Sequence, residues 1–175
     1  MEALIEAATN PDCPYEVVRV LSNVPDAPGL AIARSAGVAV WAHSHKGMKR
    51  AEFDALMDAE LSKARPDMIA LAGYMRLLSP EFIAKWEGRI LNIHPSLLPL
   101  YKGLDTHARA IEAGDGKAGC SVHIVTVELD DGPVIAQAEV PILPGDTPET
   151  LAERVLAEEH RLYPKALADA VSRLR

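Results

Sequence analysis

The chain has 175 residues, of which 49% are hydrophobic and 25% are charged. This composition suits one globular domain, residues 1–175, that buries its own core. The formal net charge of −7 argues against a general electrostatic hold on nucleic acid or on an anionic membrane, and it favours a small-molecule partner.

Cysteine usage and hydropathy exclude two further classes. Cys13 and Cys120 lack the Cys-x-x-Cys spacing, so they indicate neither a disulfide framework nor a thiolate zinc site. No apolar run approaches the ~20 residues of a membrane span, and residues 1–4 do not open a signal peptide. We therefore expect a cytoplasmic protein with reduced cysteines.

Strand and helix patterns alternate in the first half of the sequence. Short apolar runs predict strands over residues 16–22, 38–42 and 68–72. Residues 28–36 and 49–64 are predicted to be helical, the second because its apolar side chains recur at helical spacing. Such alternation is typical of parallel strands joined by helical crossovers.

The alternation continues into the middle of the chain. Ser79 is predicted to cap a helix that has Pro80 in its first turn. A strand over residues 89–93 and a helix over residues 106–113 are predicted to follow.

The last third of the sequence has a different pattern. Two β-rich stretches, residues 119–129 and 133–142, are separated by the turn-forming Asp-Asp-Gly at 130–132, which suggests a hairpin-like pair. Thr147 is predicted to open a final helix that covers residues 151 to about 174.

These patterns predict an α/β fold that is Rossmann-like, with a mainly parallel open sheet, helices on both faces and a late antiparallel portion. In open sheets of this kind, ligands bind beyond the carboxyl ends of the strands. Asn92, His94 and the turn at residues 73–76 are expected at that edge.

Asn92, His94 and Asp130 are the main candidates for chemistry. Asn92 and His94 are two residues apart on a strand, so their side chains share a face. An amide donor and an imidazole suit a tetrahedral acyl-transfer intermediate, and a nearby Asp130 would favour imidazolium. Taken alone, the same residues also fit a turn cap, a satisfied polar histidine and ordinary turn chemistry.

Other polar residues are less specific. Ser121 and His123 share a strand face, but no Gly-x-Ser-x-Gly elbow accompanies them, so we interpret them as supporting residues. His43, His45 and His107 belong to no complete zinc pattern, and no metal is expected. The basic cluster that ends at Arg50 fits an anionic ligand as well as it fits a solvated helix start.

Several motifs together resemble those of phosphoribosylglycinamide formyltransferases, a family of folate-dependent enzymes, and the resemblance covers nearly the whole chain. The Asn-x-His and Asp core is shared with the wider formyltransferase group, whereas the surrounding residues favour the glycinamide ribonucleotide enzymes. The motifs are Leu-Ala-Gly-Tyr-Met-Arg-Leu-Leu-Ser-Pro at 71–80, Asn-Ile-His-Pro-Ser-Leu-Leu-Pro-Leu-Tyr-Lys-Gly at 92–103, Leu-Asp-Thr-His at 104–107, Ser-Val-His at 121–123, Leu-Asp-Asp-Gly-Pro-Val-Ile at 129–135 and Glu-His-x-x-Tyr-Pro at 159–164.

The resemblance implies transfer of a formyl group from 10-formyltetrahydrofolate to the amine of N1-(5-phospho-D-ribosyl)glycinamide, a step of purine synthesis. It assigns Asn92 to polarising the formyl oxygen and His94 to donating a proton and stabilising the oxyanion. Asp130 would support the His94 imidazolium and position water. Neither a covalent enzyme intermediate nor a metal is implied.

The same resemblance assigns two binding regions. Residues matched to the folate site are Arg50, Met75, Arg76, Leu77, Leu78 and Asn92. Residues matched to the ribonucleotide site are Leu156, Ala157, Glu158 and Glu159.

The clearest departure from the family lies at the start. Family members begin with an apolar strand and a Gly-x-Gly-Ser-Asn loop that binds the substrate phosphate, and neither precedes residue 1 here. We expect that the native start lies upstream, and that a sheet without this strand leaves backbone groups unpaired. Asp105 and Val127 also replace the histidine and aspartate that relatives can carry.

Two alternative functions stay open, and a third ranks lower. The chain could hydrolyse formyltetrahydrofolate, with water replacing the amine, or it could be a catalytically impaired folate-binding homologue. A nicotinamide dehydrogenase ranks low because no Gly-x-Gly-x-x-Gly follows a strand. A homodimer is compatible with the sequence, although no heptad seam supports it.

Overall fold

The computed structural model describes residues 1–174 and contains six helices and six strands over that range. In chain order they are α1 (Glu2–Ala7), β1 (Arg19–Ser22), α2 (Pro28–Ser35), β2 (Ala39–Ala42), α3 (Arg50–Ala64), β3 (Ile69–Leu71), α4 (Pro80–Lys85), β4 (Ile90–His94), α5 (Thr106–Glu112), β5 (Lys117–Ile124), β6 (Val134–Pro141) and α6 (Pro148–Ser172).

The order of elements from β1 onward agrees with the sequence prediction, and the main differences lie at element ends. The strand predicted over residues 16–22 begins only at Arg19, and the β-rich stretch predicted to reach residue 129 ends as a strand at Ile124. Helix α1 was not predicted, because its six residues are too few to display a helical repeat. Its Leu4 and Ile5 are nevertheless buried.

Local sequence explains where several helices begin and end. The backbone N–H of Phe82 donates to Ser79 Oγ over 3.3 Å, so the predicted cap of α4 is confirmed. Thr147 Oγ1 accepts a hydrogen bond from the Thr150 N–H in the same way at the start of α6. Helix α3 ends where Arg65 adopts a left-handed conformation directly before a proline.

The strands form two sheets rather than one. β1 pairs in parallel with β2, while the second sheet has the order β3-β4-β5-β6. β3 and β4 are parallel, and both β4–β5 and β5–β6 are antiparallel, which confirms the late antiparallel portion. The α/β fold class is therefore as predicted, but the parallel part is divided between β1 and β3.

Helices cover both faces of the larger sheet. Phe53, Met57 and Phe82 of α3 and α4 pack with Ile90 of β4 on one face. Leu91 of β4 packs on the other face in a cluster formed mainly with α1 and α6. A third cluster lies under α5 and the first half of α6 and contains Ala110, Cys120, Val140, Leu151 and Val155. Within residues 1–174, no helix combines the length and apolar character of a bilayer crossing.

Helix α6 is tied to β3 and β4 by one side chain. The hydroxyl of Tyr163 lies 2.9 Å from the carbonyl oxygen of Leu71 and 3.0 Å from that of Leu91. Pro164 follows inside the helix. The contact anchors the middle of α6 against two parallel strands.

The turn before α6 is stabilised by an ion pair. Asp146 Oδ2 lies 2.7 Å from Arg154 Nη1 and its Oδ1 lies 2.9 Å from Arg154 Nη2, while the Leu143 N–H donates to Oδ2 over 2.7 Å. The hydrogen bonds from Arg154, followed by that from Leu143, hold the pKa of Asp146 well below its usual range.

We expect Asp146→Asn to lower the melting temperature at pH 7. We expect this decrease to become smaller as the pH is lowered. A carboxyl with a depressed folded-state pKa stabilises the fold above its unfolded pKa of about 3.9, and this contribution disappears as the pH falls below that value. Thermal melts at pH 7, 5 and 3 would measure the difference. Glu153→Gln, an exposed change on α6, is the control; an equal difference at all pH values would contradict the prediction.

Candidate active site

Strand β4 presents the two polar side chains that the sequence singles out. Ile90 is buried against α3 and α4, whereas Leu91 and Ile93 pack on the opposite face. Because side chains alternate along a strand, Asn92 and His94 share the face of Ile90, as the sequence pattern predicts.

Asp130 reaches this face by an indirect path. β5 runs antiparallel to β4 and therefore ends, at Ile124, beside the start of β4 rather than beside His94. The N–H of Val125 donates to the carbonyl of Ile90 over 2.8 Å, which fixes the beginning of the next loop there. The rest of the loop folds back across the sheet face and brings Asp130 to His94.

The backbone of this loop is constrained at two positions. Asp130 has a φ of 50°, in the left-handed region where aspartate is one of the tolerated residues. A Cβ atom at Gly132 would lie 1.8 Å from the carbonyl oxygen of Ile124, so only glycine fits. The N–H of Gly103 donates to Asp130 Oδ2 over 3.0 Å and holds the carboxylate in place.

His94 is buried between two hydrogen-bond acceptors. Its Nδ1 lies 3.3 Å from Asp130 Oδ2, and its Nε2 lies 3.0 Å from the carbonyl oxygen of Tyr101. A doubly protonated ring donates to both acceptors at once, whereas a neutral ring leaves one of them without a donor. The surroundings of His94 therefore suit an imidazolium.

His123 and Asn92 form the adjoining part of the cluster. His123 Nδ1 lies 3.1 Å from the carbonyl of Ile124, so the proton is placed there and Nε2 accepts from Asn92 Nδ2 over 3.2 Å. Burial lowers the pKa of His123 and favours this neutral tautomer. The arrangement orients the Asn92 amide with its nitrogen toward the cluster, and one of its two N–H groups remains for a ligand.

A third histidine lies near the first. Burial, and secondarily the positive charge of His94, lowers the pKa of His107. Its Nδ1 is buried and has no hydrogen-bond partner within the part of the chain that the structure describes. His123 also faces an acceptor at each nitrogen, since its Nε2 lies 3.6 Å from Asp130 Oδ1, but burial lowers its pKa and favours the neutral ring. His94 has the shorter contact with Asp130, at 3.3 Å, so it is the imidazole better placed to carry the proton.

Ser121 is engaged in structural hydrogen bonds. Its hydroxyl donates to the carbonyl of Ser96 over 2.6 Å and accepts from the Leu98 N–H over 3.0 Å and from Gln137 Nε2 over 2.9 Å. The side chain is fully buried. These contacts hold the loop after β4 and agree with a supporting role rather than a nucleophilic one.

We expect Ser121→Ala to lower the free energy of unfolding by about 1–3 kcal/mol, because it leaves buried donors and an acceptor without their partner. The rate of the reaction catalysed at this site should fall by less than about tenfold, since tenfold corresponds to about 1.4 kcal/mol in the barrier. Urea denaturation and initial rates would measure both effects, with the exposed Ser62→Ala as the control. Complete inactivation of a folded Ser121→Ala chain would instead indicate a chemical role.

The loop after β3 borders the same end of β4. In the parallel pairing Leu71 lies opposite Asn92, so residues 72–78 leave the sheet beside the cluster of Asn92, His94, His123 and Asp130. The side chain of Met75 is 81% exposed and that of Leu77 is 50% exposed, an unusual display of large apolar groups. Leu78, in contrast, is buried in the core.

The two arginines matched to the folate site are placed differently. Arg50 begins α3 and is exposed. The guanidinium of Arg76 turns toward the loop before α3, where it donates to the carbonyls of His45 over 3.3 Å and Met48 over 3.0 Å and lies 5.5 Å from the ring centroid of Phe53. Arg76 therefore braces this wall of the cleft through its side chain.

The segment matched to the ribonucleotide site lies on α6. Leu156 and Ala157 are exposed, and Glu158 pairs with Arg161 over 2.7 Å. Burial raises the pKa of Glu159. Within residues 1–174, no hydrogen bond or ion pair connects these side chains to His94 or Asp130, so the structure does not bring this segment into their cluster.

Sequence reasoning overlooked three contributors. Tyr101 supplies the carbonyl at His94, Gly103 supplies the N–H at Asp130, and Gln137 supports Ser121. Tyr101 and Gly103 lie inside the motif at residues 92–103, so the motif was a signal for this segment. Both residues act through their main chain, however, and main-chain donors and acceptors cannot be recognised from residue type. Among the described residues, no group of three or more histidine, cysteine or acidic side chains is placed to hold a metal ion.

Comparison with known proteins agrees with this geometry. The family model described as formyl transferase matches residues 1–167. The chain is 44% identical over 169 residues to the phosphoribosylglycinamide formyltransferase of Escherichia coli, covering 96% of this chain and 80% of that protein. This chain belongs to the formyl transferase family.

Two further known proteins are similar to this chain over most of its length. The solved structure of the phosphoribosylglycinamide formyltransferase from Brucella melitensis superimposes with a TM-score of 0.93 at 55% identity, and the match covers 98% of this chain and 88% of that one. The trifunctional purine biosynthetic protein adenosine-3 of Gallus gallus is 47% identical over 168 residues. That match covers 95% of this chain but only 17% of the chicken protein.

Proposed function

We propose that this chain transfers a formyl group from 10-formyltetrahydrofolate to the amine of N1-(5-phospho-D-ribosyl)glycinamide, in the cytoplasm and as a step of purine biosynthesis. The carrying observation is the contact of His94 with Asp130 on one side and with the Tyr101 carbonyl on the other, next to the Asn92 amide. Both reactants are small molecules, and the proposal includes no metal, nucleic acid or membrane.

In the proposed reaction, one bond forms, one bond breaks and one proton moves. The glycinamide nitrogen attacks the formyl carbon, a C–N bond forms, and the carbonyl oxygen becomes negatively charged. The bond from that carbon to N10 of the folate then breaks, the attacking nitrogen loses a proton, and N10 gains one. No electrons are exchanged with an oxidant or reductant, and no bond to the protein forms.

The side chains of the cluster fit these changes. The N–H of Asn92 that does not contact His123 donates to the formyl oxygen, and this bond strengthens as the oxygen becomes negative. His94 exchanges its bond to the Tyr101 carbonyl for one to the same oxygen, passes its Nε2 proton to N10 as the folate leaves, and recovers a proton from the attacking nitrogen. The buried carboxylate of Asp130 stabilises the ring while it is charged.

The surrounding surface suits a ligand with a large aromatic body. Met75, Leu77, Val127 and Leu129 are exposed in the two loops that border the cluster. Exposed apolar side chains collected around polar donors are typical of small-molecule sites. We assign this surface to the folate and the region of Glu159 to the ribonucleotide.

The experiment is a two-substrate assay followed by mass spectrometry of the products. We expect formylated ribonucleotide and tetrahydrofolate in equal amounts, and only when both 10-formyltetrahydrofolate and glycinamide ribonucleotide are present. Formate release without the ribonucleotide would instead assign the chain to hydrolysis. Folate binding without either product would overturn the proposed transfer.

A further inference from the structure

The segment that precedes α5 contributes main-chain groups to the cluster around His94. The carbonyl oxygen of Tyr101 lies 3.0 Å from His94 Nε2, and the N–H of Gly103 donates to Asp130 Oδ2 over 3.0 Å. Both groups belong to residues 101–105, which we call the 101–105 loop. The contacts of His94 and Asp130 therefore depend on the conformation of this loop.

The backbone of the 101–105 loop requires support from its surroundings. Tyr101 has a φ of 54° and Asp105 has a φ of 57°. This left-handed region is uncommon for residues other than glycine, and a residue as bulky as tyrosine rarely adopts it. Such a conformation persists only where surrounding contacts determine it. The contacts made with the loop thus identify the residues that set its shape.

Arg109, on α5, makes three contacts with the 101–105 loop. Its Nη1 donates to the carbonyl of Lys102 over 2.8 Å and to that of Leu104 over 3.2 Å. Its Cζ lies 5.2 Å from the centroid of the Tyr101 ring, a cation–π contact. The helix itself is fixed in the core through the buried Ala110. Arg109 therefore connects the loop to a firmly packed element.

The Tyr101 ring has a second attachment at its hydroxyl. The hydroxyl donates to Asp115 Oδ2 over 2.6 Å, and this hydrogen bond raises the pKa of Tyr101. The ring is thus held at its edge by an acceptor and at its face by the guanidinium of Arg109. Within residues 1–174, Arg109 makes no hydrogen bond to His94 or Asp130, so its influence on them passes through the loop.

We propose that Arg109 is a positioning residue that fixes the 101–105 loop. By holding two carbonyls and the Tyr101 ring, it keeps the main chain of the loop in contact with His94 and Asp130. The inference rests on the proposed function, since it concerns the groups to which that reaction is assigned. A guanidinium suits the task because it donates to carbonyls while its flat face packs on an aromatic ring, whereas a lysine ammonium supplies donors without that face.

The kinetic test compares Arg109→Ala and Arg109→Lys with the unaltered chain in the two-substrate assay. We expect Arg109→Ala to lower kcat about tenfold or more and to leave KM for both substrates within about threefold, because the side chain contacts the loop rather than a reactant. Arg109→Lys should lose less. Added ethylguanidinium should restore part of kcat to Arg109→Ala. The control is Arg34→Ala, an exposed change on α2 that should keep kcat within about twofold.

The second readout requires no substrate. Loosening of the 101–105 loop should speed solvent exchange of the Gly103 amide, which NMR of the 15N-labelled chain measures directly. We expect exchange to be about tenfold or more faster in Arg109→Ala and within about twofold in Arg34→Ala. The amides of β5 should be unchanged, which distinguishes local loosening from general destabilisation. Circular dichroism checks folding, and Arg109→Met, which keeps the stem of the side chain, replaces Arg109→Ala if that chain does not fold.

The two readouts separate failure of the inference from failure of the proposed function. Unchanged exchange at Gly103 in a folded Arg109→Ala chain would overturn the inference, and so would faster exchange with an unchanged kcat. A rise in KM at unchanged kcat would also overturn it, because Arg109 would then bind a substrate. If the unaltered chain transfers no formyl group but Arg109→Ala still speeds exchange at Gly103, the role of Arg109 in the loop is supported and the proposed function is overturned.

Discussion

His94→Ala is expected to reduce kcat for formyl transfer by about 10²–10⁴-fold, the range typical of a lost acid–base group. His94 faces an acceptor at each nitrogen, Asp130 Oδ2 at 3.3 Å and the Tyr101 carbonyl at 3.0 Å, and its contact with Asp130 is shorter than the 3.6 Å contact of His123. In the proposed reaction, removing it deletes both the proton donor and one of two donors to the developing oxyanion. Steady-state kinetics with both substrates would measure the loss.

The control for this variant is His43→Ala, which changes an exposed imidazole outside the cluster. It should retain kcat within about twofold, since changes at exposed sites typically have small energetic effects. A rise in KM at unchanged kcat in His94→Ala would contradict the assignment, because that pattern indicates uniform binding rather than stabilisation of the transition state. The melting temperature of both variants would separate catalytic loss from unfolding.

Asp130→Asn is expected to reduce kcat by about 10²-fold or more, because in the proposed reaction the carboxylate stabilises the charged form of His94 through its own charge as well as through a hydrogen bond. Asn is nearly isosteric with Asp, and its amide oxygen can still accept from the Gly103 N–H. The substitution therefore keeps the loop anchored and removes mainly the negative charge. Asp130→Ala removes the acceptor as well and should also lower thermal stability.

The neighbouring carboxylate supplies a close control. Asp131 is exposed and pairs with Lys102 at the surface, so Asp131→Asn should retain kcat within about twofold. Equal losses in Asp130→Asn and Asp131→Asn would indicate that the loop responds only to overall charge. Full activity of Asp130→Asn would remove this carboxylate from the reaction.

The predictable part of the site is the part set by local geometry. Asn92 and His94 share a face because of the two-residue period of a strand, and this was evident from their spacing. The same period explains why Leu91 and Ile93 pack on the opposite face, in the core. The cap of α4 at Ser79 was also predictable, because a side-chain acceptor three residues before its donor is a local signal.

The position of Asp130 was not predictable from pattern alone. Antiparallel pairing takes the chain to the far end of β4 at Ile124, and the loop then returns across the sheet face. The sequence predicted only a turn at Asp-Asp-Gly, and the contact with His94 was implied by family resemblance. Non-local returns of this kind depend on strand register, which no short motif encodes.

The directions of long side chains were equally unpredictable from the sequence. Arg76 lies in a loop matched to the folate site, yet its guanidinium bonds to the carbonyls of His45 and Met48. The side chain of Leu78 enters the core, while that of Met75 is exposed, although both belong to one motif. A motif identifies the segment that borders a site, but packing decides which of its side chains face the ligand.

The division into two sheets also affects how the chain denatures. All the groups that contact His94 belong to the larger sheet and its loops, whereas β1 and β2 form a two-stranded unit, an arrangement with little stability of its own. Such a unit can open without global unfolding, so a single cooperative transition is not assured. Trp41 on β2 packs against the apolar cluster that contains Trp86, so each reporter requires a variant in which the other tryptophan is replaced. Loss of activity on heating should follow the larger sheet and can occur at a higher temperature than the first change near Trp41.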